Sequence, residues 1–141
     1  MQDLSGRKPR FYQGDIVYGY LRLYLNKVWI AEFDGLCSVD QYIYTVDAVQ
    51  ADAEFLAAFM HSPIFLERAP IATTPGQLPR IRKEEVASVE VILPPLQKQR
   101  RLASELSRME AETLRLRSAL AAQLAALDAL SAALLREAFG C

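Results

Sequence analysis

The chain holds one histidine, His61, at the end of an apolar stretch, with no serine or cysteine in a recognisable nucleophile setting. It therefore reads as structural. Cys37 and Cys141 are two isolated thiols, and no Cys/His cluster has metal-ligand spacing. Gly14, Gly19 and Gly35 stand alone, so there is neither a phosphate loop nor a dinucleotide fingerprint. Metal-dependent nuclease cores often set an acid two residues before a lysine. Here the residues two before Lys8, Lys27, Lys83 and Lys98 are Gly6, Leu25, Ile81 and Leu96. Pro94-Pro95 is flanked by leucines, without the preceding Asn and following aromatic that amino-methyltransferases use to hold a flipped base. The scattered carboxylates read as solvated surface. These residues point away from catalysis by this chain alone.

The residue types that remain suit recognition. Arg22 and Lys27 flank Tyr24 and Asn26, and Arg80, Arg82 and Lys83 follow a loop holding Thr73, Thr74 and Gln77. Arg and Lys neutralise phosphates, while Gln, Thr and Asn hydrogen-bond base edges. Tyr18, Tyr20 and Tyr24 have faces on which bases can stack, although half-buried sheet positions use tyrosine in the same way. The net charge of −1 hides a pattern. Residues 1–30 are basic through Arg7, Lys8, Arg10, Arg22 and Lys27, and residues 68–117 are basic again. Between them Glu32, Asp34, Asp40, Asp47, Asp52, Glu54 and Glu67 occur with no Lys or Arg. Such alternation suits one basic and one acidic face on a small domain, and ordinary mixed surface charge gives the same count.

Residues 1–13 are polar, basic and irregular. Asp15–Tyr18, Lys27–Ala31 and Tyr42–Val46 are expected strands, β-branched and aromatic, with Trp29 in the core and a turn at Phe33-Asp34-Gly35. Asp52 is an N-cap for a helix from Ala53 to about Met60. Ser62-Pro63 is a cap and first turn for a short second helix through Glu67 or Arg68. Residues 72–79 form a loop, followed by a short helical turn and a last strand over Val89–Ile92.

From Leu96 to Phe139 there is no proline or glycine, and almost every residue is a good helix former. Pro94 and Pro95 mark the start and Gly140 the stop. At 1.5 Å per residue the rod is about 65 Å long. Leu102, Leu106, Met109, Thr113, Leu116 and Leu120 alternate steps of four and three, the seam of a left-handed coiled coil. Beyond them Leu124, Leu127, Leu130, Leu134 and Leu135 crowd one broad side, with Gln123 at a seam position, which reads as a local change in supercoil. A helix of this length needs a partner, and the alternative is a long surface of its own domain. The fold class expected is α+β: a small domain over residues 1–92 carrying one long C-terminal coiled-coil helix over residues 93–141.

Length and composition set the outer bounds. At 141 residues there is room for one modest domain, and 52% hydrophobic residues exclude a disordered tail. No uninterrupted apolar run reaches the ~18 residues of a spanning helix, and the N-terminus lacks a signal peptide's apolar core. The expectation is a cytoplasmic protein with free thiols and no membrane contact.

Three stretches together resemble the specificity subunit of type I restriction-modification enzymes. They are Gly14 to Val28 with Gly35 to Asp40, Thr74 to Ile81, and Leu93-Pro94-Pro95-Leu96-Gln97-Lys98-Gln99-Arg100-Arg101-Leu102 with the leucine-rich helix ending Leu134-Leu135-Arg136-Glu137-Ala138-Phe139. Leu-Pro-Pro-Leu at the mouth of a long helix is the most specific of the three. The chain departs from the family pattern at Tyr20, Leu23 and Lys98. The resemblance implies a partial target recognition domain on a spacer helix, with further domain residues before Gly14 in a full subunit. It also implies double-stranded DNA, methyltransferase subunits and a restriction subunit as partners, and self-association of the helix with a second one, antiparallel. Methylation with S-adenosylmethionine and ATP-dependent cleavage would belong to those partners, leaving this chain non-catalytic and without a cofactor. The rod's length is close to the 68–72 Å of about two turns of B-DNA, at roughly 34–36 Å per turn. The main alternative is a dimeric coiled-coil assembly module that binds methyltransferase subunits without reading DNA. A small carboxylate enzyme is the remaining one.

Overall fold

The computed structural model describes residues 8–69 and 79–140. Compact units divide between Ala103 and Ser104. The first is built on strand β2 (Ile16–Gly19), which lies between β3 (Val28–Ile30) and β5 (Gln41–Tyr44), both antiparallel to it. All of β2 is buried. Ile16 and Tyr18 face one side, against Met60, Phe65, Ala69, Ile81 and Val86. Val17 faces the other, against Phe11 and Ala31. That two-sided burial explains why Ile-Val-Tyr is a continuous apolar run rather than an alternating one.

The second face is covered by a two-stranded ribbon, β1 (Arg10–Phe11) with β4 (Gly35–Leu36). Phe11 lies so close to Gly35 that a Cβ there would stand 2.6 Å from the ring's Cζ, so this position needs glycine. The ribbon is too small to close the face. Trp29, expected in the core, is 37% exposed on edge strand β3, packed edge-on against Phe11 at 5.5 Å and tilted against Phe33 at 5.5 Å. The turn before β2 is tied by Asp15, buried and satisfied: it accepts from the Tyr12 amide at 2.8 Å and from the Thr45 hydroxyl at 2.8 Å.

Local capping chemistry sets the short helices. Helix α1 (Ala53–His61) starts where the Asp52 carboxylate accepts from the Phe55 amide at 3.0 Å. Helix α2 (Pro63–Arg68) has Ser62 as its cap and proline in its first turn. Helix α3 (Lys83–Ala87) opens with the Arg82 amide donating to the Glu85 carboxylate at 2.7 Å. The expected strand over Val89–Ile92 is not one: residues 89–95 are neither helix nor strand. Val89 packs on the core cluster, whereas Ile92 is 85% exposed. A β-branched run becomes a strand only beside a partner, and none of the described strands pairs with it.

Helix α4 spans Leu96–Phe139 without a break, and Gly140 ends it at φ 64. Its first two turns belong to the first unit, through buried Gln99 and Ala103. The second unit is the remaining helix, taken alone. Every described residue of it is exposed, including Leu106, Met109, Leu116, Leu120, Leu124, Leu127, Leu130 and Leu134, while Leu102 is half-buried. By length and composition α4 is apolar enough to cross a membrane. The lack of an uninterrupted apolar run therefore did not exclude a span.

Candidate nucleic-acid interface and helix joint

The loop between β2 and β3 carries the first pair of candidate phosphate contacts. Its ends are tied by the Gly19 amide donating to the Lys27 carbonyl at 2.9 Å. Inside it, a 3-10 turn over Leu23–Leu25 is closed by the Leu25 amide donating to the Arg22 carbonyl at 2.8 Å. Arg22 and Asn26, on either side of that turn, have φ of 58° and 39°. Left-handed backbone is uncommon for any residue but glycine. Tyr24 stands at the tip, 68% exposed.

The second basic segment is laid against this loop. Leu21 and Arg80 form an antiparallel bridge, the Arg22 amide donates to the Pro79 carbonyl at 3.1 Å, and the Ile81 amide donates to the Tyr20 carbonyl at 3.4 Å. Tyr42 braces the junction: its ring stacks on Tyr20 at 4.5 Å, and its hydroxyl donates to the Ile81 carbonyl at 3.2 Å. Two stretches some sixty residues apart in sequence thus present Arg22 and Arg80 on adjoining strips, with Arg82 and Lys83 opening α3 directly after. Arg22, Lys27, Arg80, Arg82 and Lys83 are all exposed. Lys27 lies along Gly19, where an added Cβ would meet its Cε at 3.0 Å. Thr73, Thr74 and Gln77 lie outside the described residues. His61 is exposed, and its backbone carbonyl accepts from the Asn26 side chain at 2.7 Å.

A second feature went unread in the sequence. Gln99 is fully buried, yet all of its side-chain polar atoms are used. Its Oε1 accepts from the Asp52 amide at 2.9 Å, and its Nε2 donates to the Gln50 carbonyl at 3.2 Å and the Pro94 carbonyl at 2.8 Å. Arg100 adds an ion pair to Asp52 at 3.8 Å. One amide group therefore joins the start of α4, the chain just before it, and the N-terminus of α1. The signal was present: Leu96, Gln99 and Ala103 share one inward helix face by their spacing of three and four.

The buried hydroxyls of Tyr18 and Tyr44 have no hydrogen-bond partner among the described residues. Burial pushes the Tyr18 phenol up to about 12. Burial raises Tyr44 as well, helped by Tyr42, Tyr18 and Glu84 nearby. Tyr44 borders an apolar cleft of about 410 Å³ between Phe59, Phe65, Val89 and Leu93. Among the described residues no group of three or more His, Cys, Asp or Glu is placed to hold a metal ion. The arrangement offers fixed positive charge and aromatic surface, which suit binding to an anionic partner.

No family model matches the sequence. It is 33% identical over 106 residues to the Type I restriction enzyme EcoDI specificity subunit of Escherichia coli, a match covering 75% of this chain and 23% of that protein. In fold it is similar to the HsdS subunit from Thermoanaerobacter tengcongensis, with a TM-score of 0.67 at 20% identity over 76% of this chain and 28% of that one. A chain from a structure on complex assembly and conformational transition of the type I R-M system gives a TM-score of 0.70 at 21% identity, covering 81% of this chain and 31% of that chain. The chain thus spans about a quarter of the length of the curated relative it matches. With sequence and fold in agreement, the chain corresponds to a segment of the specificity subunits of type I restriction-modification enzymes.

Proposed function

We propose that the chain is a DNA-specificity part of a type I restriction-modification system, working in the cytoplasm and performing no chemistry itself. In this reading residues 1–92 are a partial target recognition domain, and residues 93–141 are a spacer that pairs with a second helix. The methyltransferase and restriction subunits carry out methylation and cleavage where the pair positions them. The observation that supports the reading is the pairing of the Leu21–Arg22 stretch with the Pro79–Arg80 stretch, which brings two basic segments together beyond the end of the central strand. The exposed leucine seam supports the spacer role, and we assign its apolar surface to helix pairing rather than to a membrane.

Binding to a mixed-sequence duplex across a salt series tests this. Affinity should fall steeply with salt. Replacing both Arg22 and Arg80 with Gln should flatten the log–log slope by about 2, since each phosphate left without its cation removes about 0.9. Binding indifferent to salt refutes the phosphate role. A chain that captures methyltransferase subunits and never binds duplex is instead an assembly module.

A further inference from the structure

Asn26 is not spent on solvent. It is only 9% exposed, and it holds a left-handed backbone at φ 39 beside the basic loop. Its Nδ2 reaches across 35 positions of sequence to the carbonyl of His61 at 2.7 Å. That carbonyl belongs to the last residue of α1, where the helix has no backbone donor left to give it. The contact therefore does two things at once: it satisfies an orphan acceptor at a helix end, and it ties the loop to the globular core. Asparagine is suited to the position because it tolerates left-handed backbone and still carries a side-chain donor.

The rest of the loop depends on this tie. Arg22, also left-handed, sits four residues before Asn26, and Lys27 follows it directly. The tip between them, Tyr24 and Leu25, is exposed and gains no burial of its own. Strained backbone persists only where surrounding contacts over-determine it. Here the contacts are the Gly19–Lys27 and Arg22–Leu25 hydrogen bonds, the Arg22–Pro79 hydrogen bond, and the Asn26 clamp.

Resting on the reading of a DNA-facing surface, we infer that Asn26 is a positioning residue, clamping the β2–β3 loop to the end of α1 so that Arg22 and Lys27, on a loop paired with the Pro79–Arg80 stretch, are held in place against a nucleic-acid backbone. It touches no phosphate. It fixes the residues that do.

The test uses the full chain, a fluorescent mixed-sequence duplex and a salt series, comparing the natural chain with Asn26→Gly, Asn26→Asp, Arg22→Gln and His61→Ala. Both Asn26 variants accept the left-handed backbone and lose the donor. Each should weaken binding about tenfold at low salt and flatten the salt slope by about 1, as Arg22→Gln does directly. His61→Ala should change neither, because only its carbonyl is used. The slope does not depend on the fraction of folded protein, so it separates positioning from a loss of folded molecules. Asn26 variants with the natural slope, beside a flattened slope for Arg22→Gln, overturn the clamp and leave the DNA reading standing. A natural chain that shows no salt-dependent binding overturns both.

Discussion

Tyr18 shows how a single atom sets a measurable property. Its side chain is fully buried at the centre of β2, packed edge-on against Phe65 at 5.8 Å, and its hydroxyl finds no partner among the described residues. A buried hydroxyl without a partner costs on the order of 1–3 kcal/mol, so Tyr18→Phe should be neutral or raise stability by about 1 kcal/mol at neutral pH. The pH dependence has a fixed sign. A folded-state value of about 12 against the ordinary 10.0 means that stability is whole below pH 10 and drains away as pH rises toward 12. The slope for one such group is about 1.4 kcal/mol per pH unit. Urea denaturation of the natural chain across that window should show the fall, and Tyr18→Phe should show a shallower one. Tyr44 and Tyr42, raised in the same direction, contribute to what persists.

At the scale of elements, the local chemistry was legible and the distant pairing was not. Asp52 and Ser62-Pro63 announce α1 and α2 because a cap acts within a few residues of itself. The forty-four residues of α4 were readable from the absence of Gly and Pro and from the leucine spacing. Val89–Ile92 misled because strand propensity presupposes a neighbouring strand. Trp29 misled because the sequence cannot say how small the covering ribbon is. The juxtaposition of Leu21 with Arg80 depends on two segments meeting, so the candidate residues were visible while their grouping was not. The joint at Gln99 is part of each kind: its spacing with Leu96 and Ala103 put it on an inward helix face, but its partners at the start of α1 lie almost fifty residues away in sequence and were not legible. Removing it should be expensive. Gln99→Ala empties a buried position and leaves the part-buried Asp52 amide and two carbonyls without their partners, and should cost about 1–3 kcal/mol in denaturation experiments. Gln99→Glu keeps the acceptor and loses the donor, and should also destabilise. Stability unchanged in both variants would show that the joint is filled by other groups.

The molecule as a whole has two parts: a unit on which two stretches with exposed Arg and Lys side chains meet, and a helix whose leucines beyond Ala103 are uncovered. In the proposed reading the first part depends on the second, because a recognition unit would be useful only when held at a set distance from another. Leu106, Met109, Leu116, Leu120, Leu124, Leu127, Leu130 and Leu134 would together bury a substantial apolar stripe against a second helix, at about 25 cal/mol per Å² removed from water. Left open, the same stripe favours association of some kind. Analytical ultracentrifugation of the natural chain beside Leu116→Asp/Leu120→Asp decides the matter most directly. Helix pairing predicts a dimer for the natural chain and a folded, helical monomer for the double variant. A natural chain that stays monomeric at every concentration, or a double variant that stays dimeric, would contradict it.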